Sequence, residues 1–190
     1  MQEDRNTEST ANIDLLIDGA VNGNADDFGR LYDLHVERVY RHIYYRVGNI
    51  KDAEDLTQQV FLRAWKAIGR YRKTGSPFLA WLMRISHNLV IDFYRSKKDV
   101  TYLDNEIDFE DSEAGPEQLA EEYFDKQQVR KVILQLPDEQ QQVILMSFIE
   151  GFAYSEIAAS LGKSEGNVRV IVHRALKRMR QILEAGKHLD

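Results

Sequence analysis

The sequence predicts an all-α chain of two small helical domains joined by a flexible acidic linker. Three observations carry this. Apolar residues recur at three- and four-residue spacing through most of the 190 residues. The interruptions fall at Gly, Asn and Pro, the residues that end helices. No segment shows the strict polar–apolar alternation of a half-buried strand. At roughly 100–200 residues per domain, the length allows one domain or two small ones. A composition of 43% hydrophobic and 29% charged residues is globular rather than disordered.

The elements follow in order. Residues 1–12 are polar and acidic and read as a disordered tail. Ile13, Leu16, Ile17 and Ala20 share one helical face, broken after Gly19 and Gly23. A second helix spans about Asp26 to Val47, with Phe28, Leu31, Tyr32, Leu34, His35, Val39, Ile43 and Tyr44 as its apolar face; Gly48-Asn49 ends it. A third runs from about Lys51 to Ile68, with Ala53, Leu56, Val60, Leu62, Ala64 and Ile68 inward. The basic loop RYRKTGSP follows. Ser76-Pro77 then reads as an N-cap with Pro at the first helical position. The helix it opens continues to about Lys97, with Phe78, Trp81, Leu82, Ile85, Leu89, Ile91 and Phe93 in its stripe. These four helices make a module over residues 13–98.

Residues 99–116 lack an apolar period and contain Gly115-Pro116, so they read as the linker. A second module covers residues 117–186. A helix from Glu117 stops at Leu136 because Pro137 disfavours helix in the residue before it. Asp138 to Glu150 is helical and Gly151 ends it. Tyr154 to Leu161 is a short helix ended by Gly162, and Ser164 caps a last helix reaching about Ala185.

Composition narrows the function. The chain has no Cys, which excludes a disulfide scaffold, a thiolate zinc site and a Cys nucleophile. Its five His show no metal-ligand spacing. No nucleophile–base set or phosphate loop is present, so no enzyme activity, cofactor or small-molecule substrate is expected. No apolar run approaches the ~20 residues a membrane span needs. The start of the chain does not resemble a signal peptide. The expectation is a cytoplasmic protein without membrane insertion.

The net charge of -6 hides its distribution. Residues 60–98 carry nine bases against Asp92 alone. Residues 99–128 carry eleven acids against Lys126 alone. Residues 163–187 carry seven bases against Glu165 and Glu184. Two basic blocks around an acidic one suit two polyanion-binding modules with a connector. They equally suit ordinary solvated helix faces, so motifs must decide.

The C-terminal segment has helix-turn-helix grammar: the helix YSEIAASL, a Gly162-Lys163 turn and a longer basic helix. Ile157, Ala158 and Leu161 are placed to pack on Val168, Ile171 and Val172. That leaves Ser164, Glu165, Asn167, Arg169 and His173 free for base edges in a major groove. Arg pairs bidentately with guanine and Asn with adenine. Arg174, Lys177 and Arg178 suit phosphates, which add affinity without reading sequence.

In the N-terminal module, Asp52, Asp55 and Gln59 share a helix face, with Gln58, Phe61, Leu62 and Trp65 beside or behind it. Carboxylates and amides next to bulky apolar groups suit a helix-on-helix protein contact. An acidic first turn favoured by the helix dipole, over a core of Phe61 and Trp65, explains the same residues. The next segment interleaves bases and rings: Arg70, Tyr71, Arg72, Lys73, Trp81, Arg84, Asn88, Phe93, Tyr94 and Arg95. Single-stranded DNA binding needs this combination. Trp81 and Phe93 read as core, whereas Tyr71 and Tyr94 are the rings expected to be exposed.

In this order and spacing, the two segments resemble regions 2 and 4 of bacterial RNA polymerase sigma factors of the extracytoplasmic-function (ECF) group. DAEDLTQQVFLRAW is similar to the part of region 2 that docks on the clamp-helix coiled coil of the polymerase's largest subunit. The resemblance thus implies core-polymerase contacts at Asp52, Asp55, Gln58, Gln59, Phe61 and Trp65. The RYRKTGSP loop and the helix after it resemble the part that recognises and melts the -10 promoter element. The family pattern is matched by Trp81, Leu82, Ile85, Asn88, Asp92 and Arg95. The implied -10 contacts are Arg70, Tyr71, Arg72, Lys73, Arg84, Asn88, Asp92, Arg95, Lys97 and Lys98. The helix-turn-helix is similar to region 4, which implies -35 recognition through Ser164, Glu165, Asn167, Arg169, His173, Arg174, Lys177 and Arg178. Partners implied are core polymerase, promoter DNA and an anti-sigma factor. The rival reading is a two-domain helix-turn-helix regulator that binds duplex DNA without polymerase.

Overall fold

Several helix boundaries fall where Asn and Gly stand in the sequence. The computed structural model describes residues 2–73, 75–101 and 127–186, and among these there is no strand. Helix α1 spans Gln2–Val21. It begins well before Ile13, so residues 2–12, expected as a disordered tail, continue the helix. Asn24 caps α2 (Ala25–Val47): its side chain accepts from the Asp26 and Asp27 N–H groups, and those two acids complement the helix dipole. Gly48 ends α2 at φ 73°, a left-handed position, with its N–H on the Tyr44 carbonyl at 2.9 Å. Asn49 at once caps α3 (Ile50–Ala67) through the Asp52 N–H. One 3₁₀ turn, Ile68–Arg70, then leads into the basic loop. Helix α4 spans Phe78–Thr101 and so runs past the expected stop at Lys97. The linker beyond Thr101 and the start of the next helix lie outside the described residues.

In the C-terminal module, α5 is described over residues 127–134. Helix α6 covers Asp138–Ile144 and widens into a π turn over Leu145–Ile149. The sequence pattern predicts one regular helix to Glu150. The Glu150 N–H instead reaches the Leu145 carbonyl at 3.0 Å, a five-residue step. Helices α7 (Tyr154–Leu161) and α8 (Glu165–Gly186) follow.

The cores correct several inward assignments. On α2 the buried positions are Leu31, His35, Val39, His42, Ile43 and Arg46, while Leu34 faces solvent. The stripe 35-39-42-46 keeps helical spacing but carries three polar residues, and apolar matching passed over two of them, His42 and Arg46. On α3, Phe61 and Thr57 are buried and Leu62 is 53% exposed. The α7–α8 pairing follows expectation: Ile157, Ala158, Val168 and Val172 are buried, with Leu161 and Ile171 packed against them. Residues from both modules join one apolar cluster, in which Met146, Phe152 and Ile157 occur with Leu79, Leu82 and Met83. Helix α7 lies against α4, and Ser160 Oγ donates to the Ala80 carbonyl at 3.0 Å.

Candidate nucleic-acid interface

The turn of the helix-turn-helix is built by two residues. Gly162 takes a left-handed φ of 64°, which a Cβ disfavours, and lets the Lys163 N–H close on the Ala158 carbonyl at 2.9 Å. Ser164 Oγ then accepts the Asn167 N–H at 3.2 Å and starts α8. Val168, Val172 and Ala175 are buried along one face of α8. Ser164, Glu165, Asn167, Arg169, His173, Arg174, Lys177 and Arg178 are therefore presented to solvent together. Arg169 pairs with Glu165 one turn earlier. This surface pair contributes at most ~0.5 kcal/mol and does not commit the guanidinium to the protein.

Arg84, Asn88, Asp92, Arg95 and Lys97 are exposed along α4. Spacings of four, four and three keep the first four on one ridge. Asp92 is 3.7 Å from Arg63 on α3. Lys97 meets Asp52 at 3.0 Å and lies 4.5 Å over the Phe93 ring. The side chain of Lys98 lies outside the described residues. Tyr94 is partly exposed, yet its hydroxyl donates to the Arg46 carbonyl at 2.6 Å.

Tyr71 corrects the expectation that it is exposed. Only 9% of it is accessible. Its ring packs 5.4 Å from Phe78 and 5.0 Å from Trp81, and burial followed by the nearby Asp14 charge raises its pKa. Three rings at the loop–helix junction bury more together than apart, so Tyr71 anchors the loop. Arg70, Arg72 and Lys73 stay exposed. Lys73 is held by Asp18 at 3.0 Å and Asp14 at 3.5 Å on α1, and these carboxylates raise its ammonium pKa.

On α3, Asp55, Gln58, Gln59 and Leu62 line a shallow groove of about 470 Å³. Trp65 extends the face and touches Phe28 with ring centroids 5.0 Å apart. Asp52 is half-buried beside Lys97. Phe61 does not belong to the groove: it is 5% exposed and packs on Tyr32 at 4.6 Å. Leu62 takes the place expected of Phe61. The 55-59-62 spacing of four and three carries that placement, whereas apolar periodicity alone reads Leu62 as core.

The chain matches the Sigma-70 region 2 family over residues 31–100 and the Sigma-70 region 4 family over residues 126–179. It is 31% identical over 183 residues to the ECF RNA polymerase sigma factor SigD of Mycobacterium tuberculosis, covering 93% of this chain and 86% of SigD. The chain belongs to the ECF RNA polymerase sigma factor family. It is also 37% identical over 171 residues to the ECF sigma factor BldN of Streptomyces coelicolor; that match covers 88% of this chain but only 64% of BldN. Among solved structures, the sigma factor RpoE in complex with the anti-sigma factor NepR from Bartonella quintana matches with a TM-score of 0.67 at 25% identity. The match covers 84% of this chain and 98% of that one. Among the described residues no helix is long and apolar enough to cross a membrane.

Proposed function

We propose that this ECF sigma factor binds core RNA polymerase and directs promoter-specific initiation, meeting the -10 element with residues 13–98 and the -35 element with residues 117–186. One observation carries the division of labour. Two separate exposed basic faces, on α4 and at the start of α8, lie in different modules, and the α3 groove of different chemistry adjoins the first. On α4, Arg84, Asn88, Asp92 and Arg95 face the -10 strand, flanked by Arg70, Arg72, Lys73, Lys97 and Lys98. Tyr71 supports them from below. On α8, Ser164, Glu165, Asn167, Arg169 and His173 read the -35 duplex, while Arg174, Lys177 and Arg178 hold its phosphates. Asp55, Gln58, Gln59, Leu62 and Trp65 dock on polymerase, and Asp52 stays at the rim.

The role is binding without covalent chemistry, in the cytoplasm where polymerase works. Residues 99–116 act as the connector. Polymerase spaces the modules, so each weak DNA contact benefits from effective concentration. The NepR complex of RpoE supports an anti-sigma factor as a further partner. Co-purification with core polymerase tests the reading. A stable complex is expected, whereas a chain that binds promoter duplex alone and never polymerase would be the two-domain regulator instead.

A further inference from the structure

We propose that α1 is a working part of the -10 reader, and that Asp14 and Asp18 are positioning residues that hold the basic loop in its reading shape through Lys73. Lys73 Nζ meets Asp18 Oδ1 at 3.0 Å and Asp14 Oδ1 at 3.5 Å. It also reaches the Asp14 backbone carbonyl at 3.5 Å. Asp14 and Asp18 are one turn apart and share a face of α1. Another face of the same helix buries Leu16, Ile17 and Ala20, so the core, and not the loop, places the two carboxylates. The helix also packs on the 3₁₀ turn that leads into the loop, where Gly69 lies beside the Val21 carbonyl.

The loop needs such a hold. Tyr71 pins one end against Phe78 and Trp81, and α4 begins at Phe78. From Arg72 to Ser76 the sequence has no large apolar side chain to pack, so chain entropy favours many shapes over one. Lys73 lies within that span. Tied there to a rigid helix, the loop samples fewer shapes, and less ordering is left for the moment a DNA strand binds. Each ion pair is half-exposed and weak alone, but both carboxylates act on the same ammonium. Its charge is matched on α1, so Lys73 flanks the -10 face as a strut. Helix α1 lies outside residues 31–100, the stretch that matches the region 2 family, so that match assigns it no part in reading DNA. The inference rests on the proposed -10 role of the loop, but the hold itself is a property of the chain alone.

Two arms test it. Limited trypsin digestion of the full chain without polymerase cuts after Arg70, Arg72 and Lys73 in the loop, and the exposed Arg174 on α8 gives a control cut that reports global opening. Mass spectrometry follows each cut. Asp14→Asn with Asp18→Asn removes both charges with little change in size. It should speed the loop cuts about threefold, the scale of two exposed ion pairs, and leave the control cut unchanged. Asp14→Glu with Asp18→Glu keeps both charges and should stay near the wild-type rate. Equal loop rates in wild type and the Asn pair, a control cut accelerated to the same degree, or a Glu pair as fast as the Asn pair would overturn the hold. In the second arm, holoenzyme assembled with core polymerase transcribes a randomised promoter library. The Asn pair should lose about threefold in selectivity at -10 positions and keep its -35 preference. Unchanged -10 selectivity, or equal losses at both elements, would overturn the positioning role. If the wild type selects no promoter at all, the proposed function fails instead, and the trypsin arm alone decides the hold.

Discussion

Acid should unfold this chain through buried histidines, and His42 gives the clearest case. The side chain is fully buried on α2, and among the described residues neither ring nitrogen has a hydrogen-bond partner. Burial first, then the charges of Arg46 and His87, lowers its pKa from 6.5 to about 3. In the unfolded chain the same imidazole protonates near 6.5. Between these values the unfolded state binds more protons than the folded one, so stability is full above about pH 7.5 and falls as pH drops through 6.5. At pH 5 the unfolded ring is 1.5 pH units below its pKa while the folded ring is still neutral. At 1.36 kcal/mol per unit, His42 alone removes ~2 kcal/mol. His35 and His87, each lowered to about 4 chiefly by burial, add to the loss. His87 is only half-buried, so its share is discounted for solvent. The three together amount to about 4 kcal/mol, a large part of an ordinary domain's stability.

Urea titrations at pH 7.5, 6 and 5 measure this. With a slope near ~2 kcal/mol per molar, the midpoint should fall by ~2 M over the range. His42→Leu should recover about half of that fall. An identical pH dependence in wild type and variant, or an NMR titration placing His42 near 6.5, would refute the reasoning.

Three further outcomes are expected. Arg169→Ala should change the preferred -35 sequence by ~1–3 kcal/mol at one position, whereas Lys177→Ala should weaken all sequences alike and reduce the salt slope by about 1; footprinting across a sequence library separates them. Replacing Asp55 and Gln59 together by Ala should lower polymerase affinity in a fluorescence titration while leaving the melting curve within ~0.5 kcal/mol, because both are exposed. Ile157→Ala, at a fully buried position between α7 and α8, should cost ~2–5 kcal/mol in denaturant unfolding.

Much of the fold was legible because it is written locally. Asn24, Gly48, Asn49, Gly162 and Ser164 each act within four residues of themselves, and each ends or begins a helix as its chemistry dictates. The α7–α8 pairing was legible because Ile157, Ala158, Val168 and Val172 keep one apolar face on each helix. What escaped was tertiary. Tyr71 sits in a basic loop and reads as exposed, and only the approach of Phe78 and Trp81 buries it. Phe61 and Leu62 are adjacent, and periodicity alone does not say which turns inward; Tyr32 on α2 decides it. Arg38, Arg46, Asp138 and Glu150 belong to neither module's own pattern, because their partners lie about 90 to 110 residues away.

Start-site selection is the property that decides the proposed function. In run-off transcription with purified core polymerase and a randomised promoter library, adding this chain should concentrate transcripts downstream of one paired set of -10 and -35 sequences. Transcripts starting at the same sites with and without the chain would contradict it.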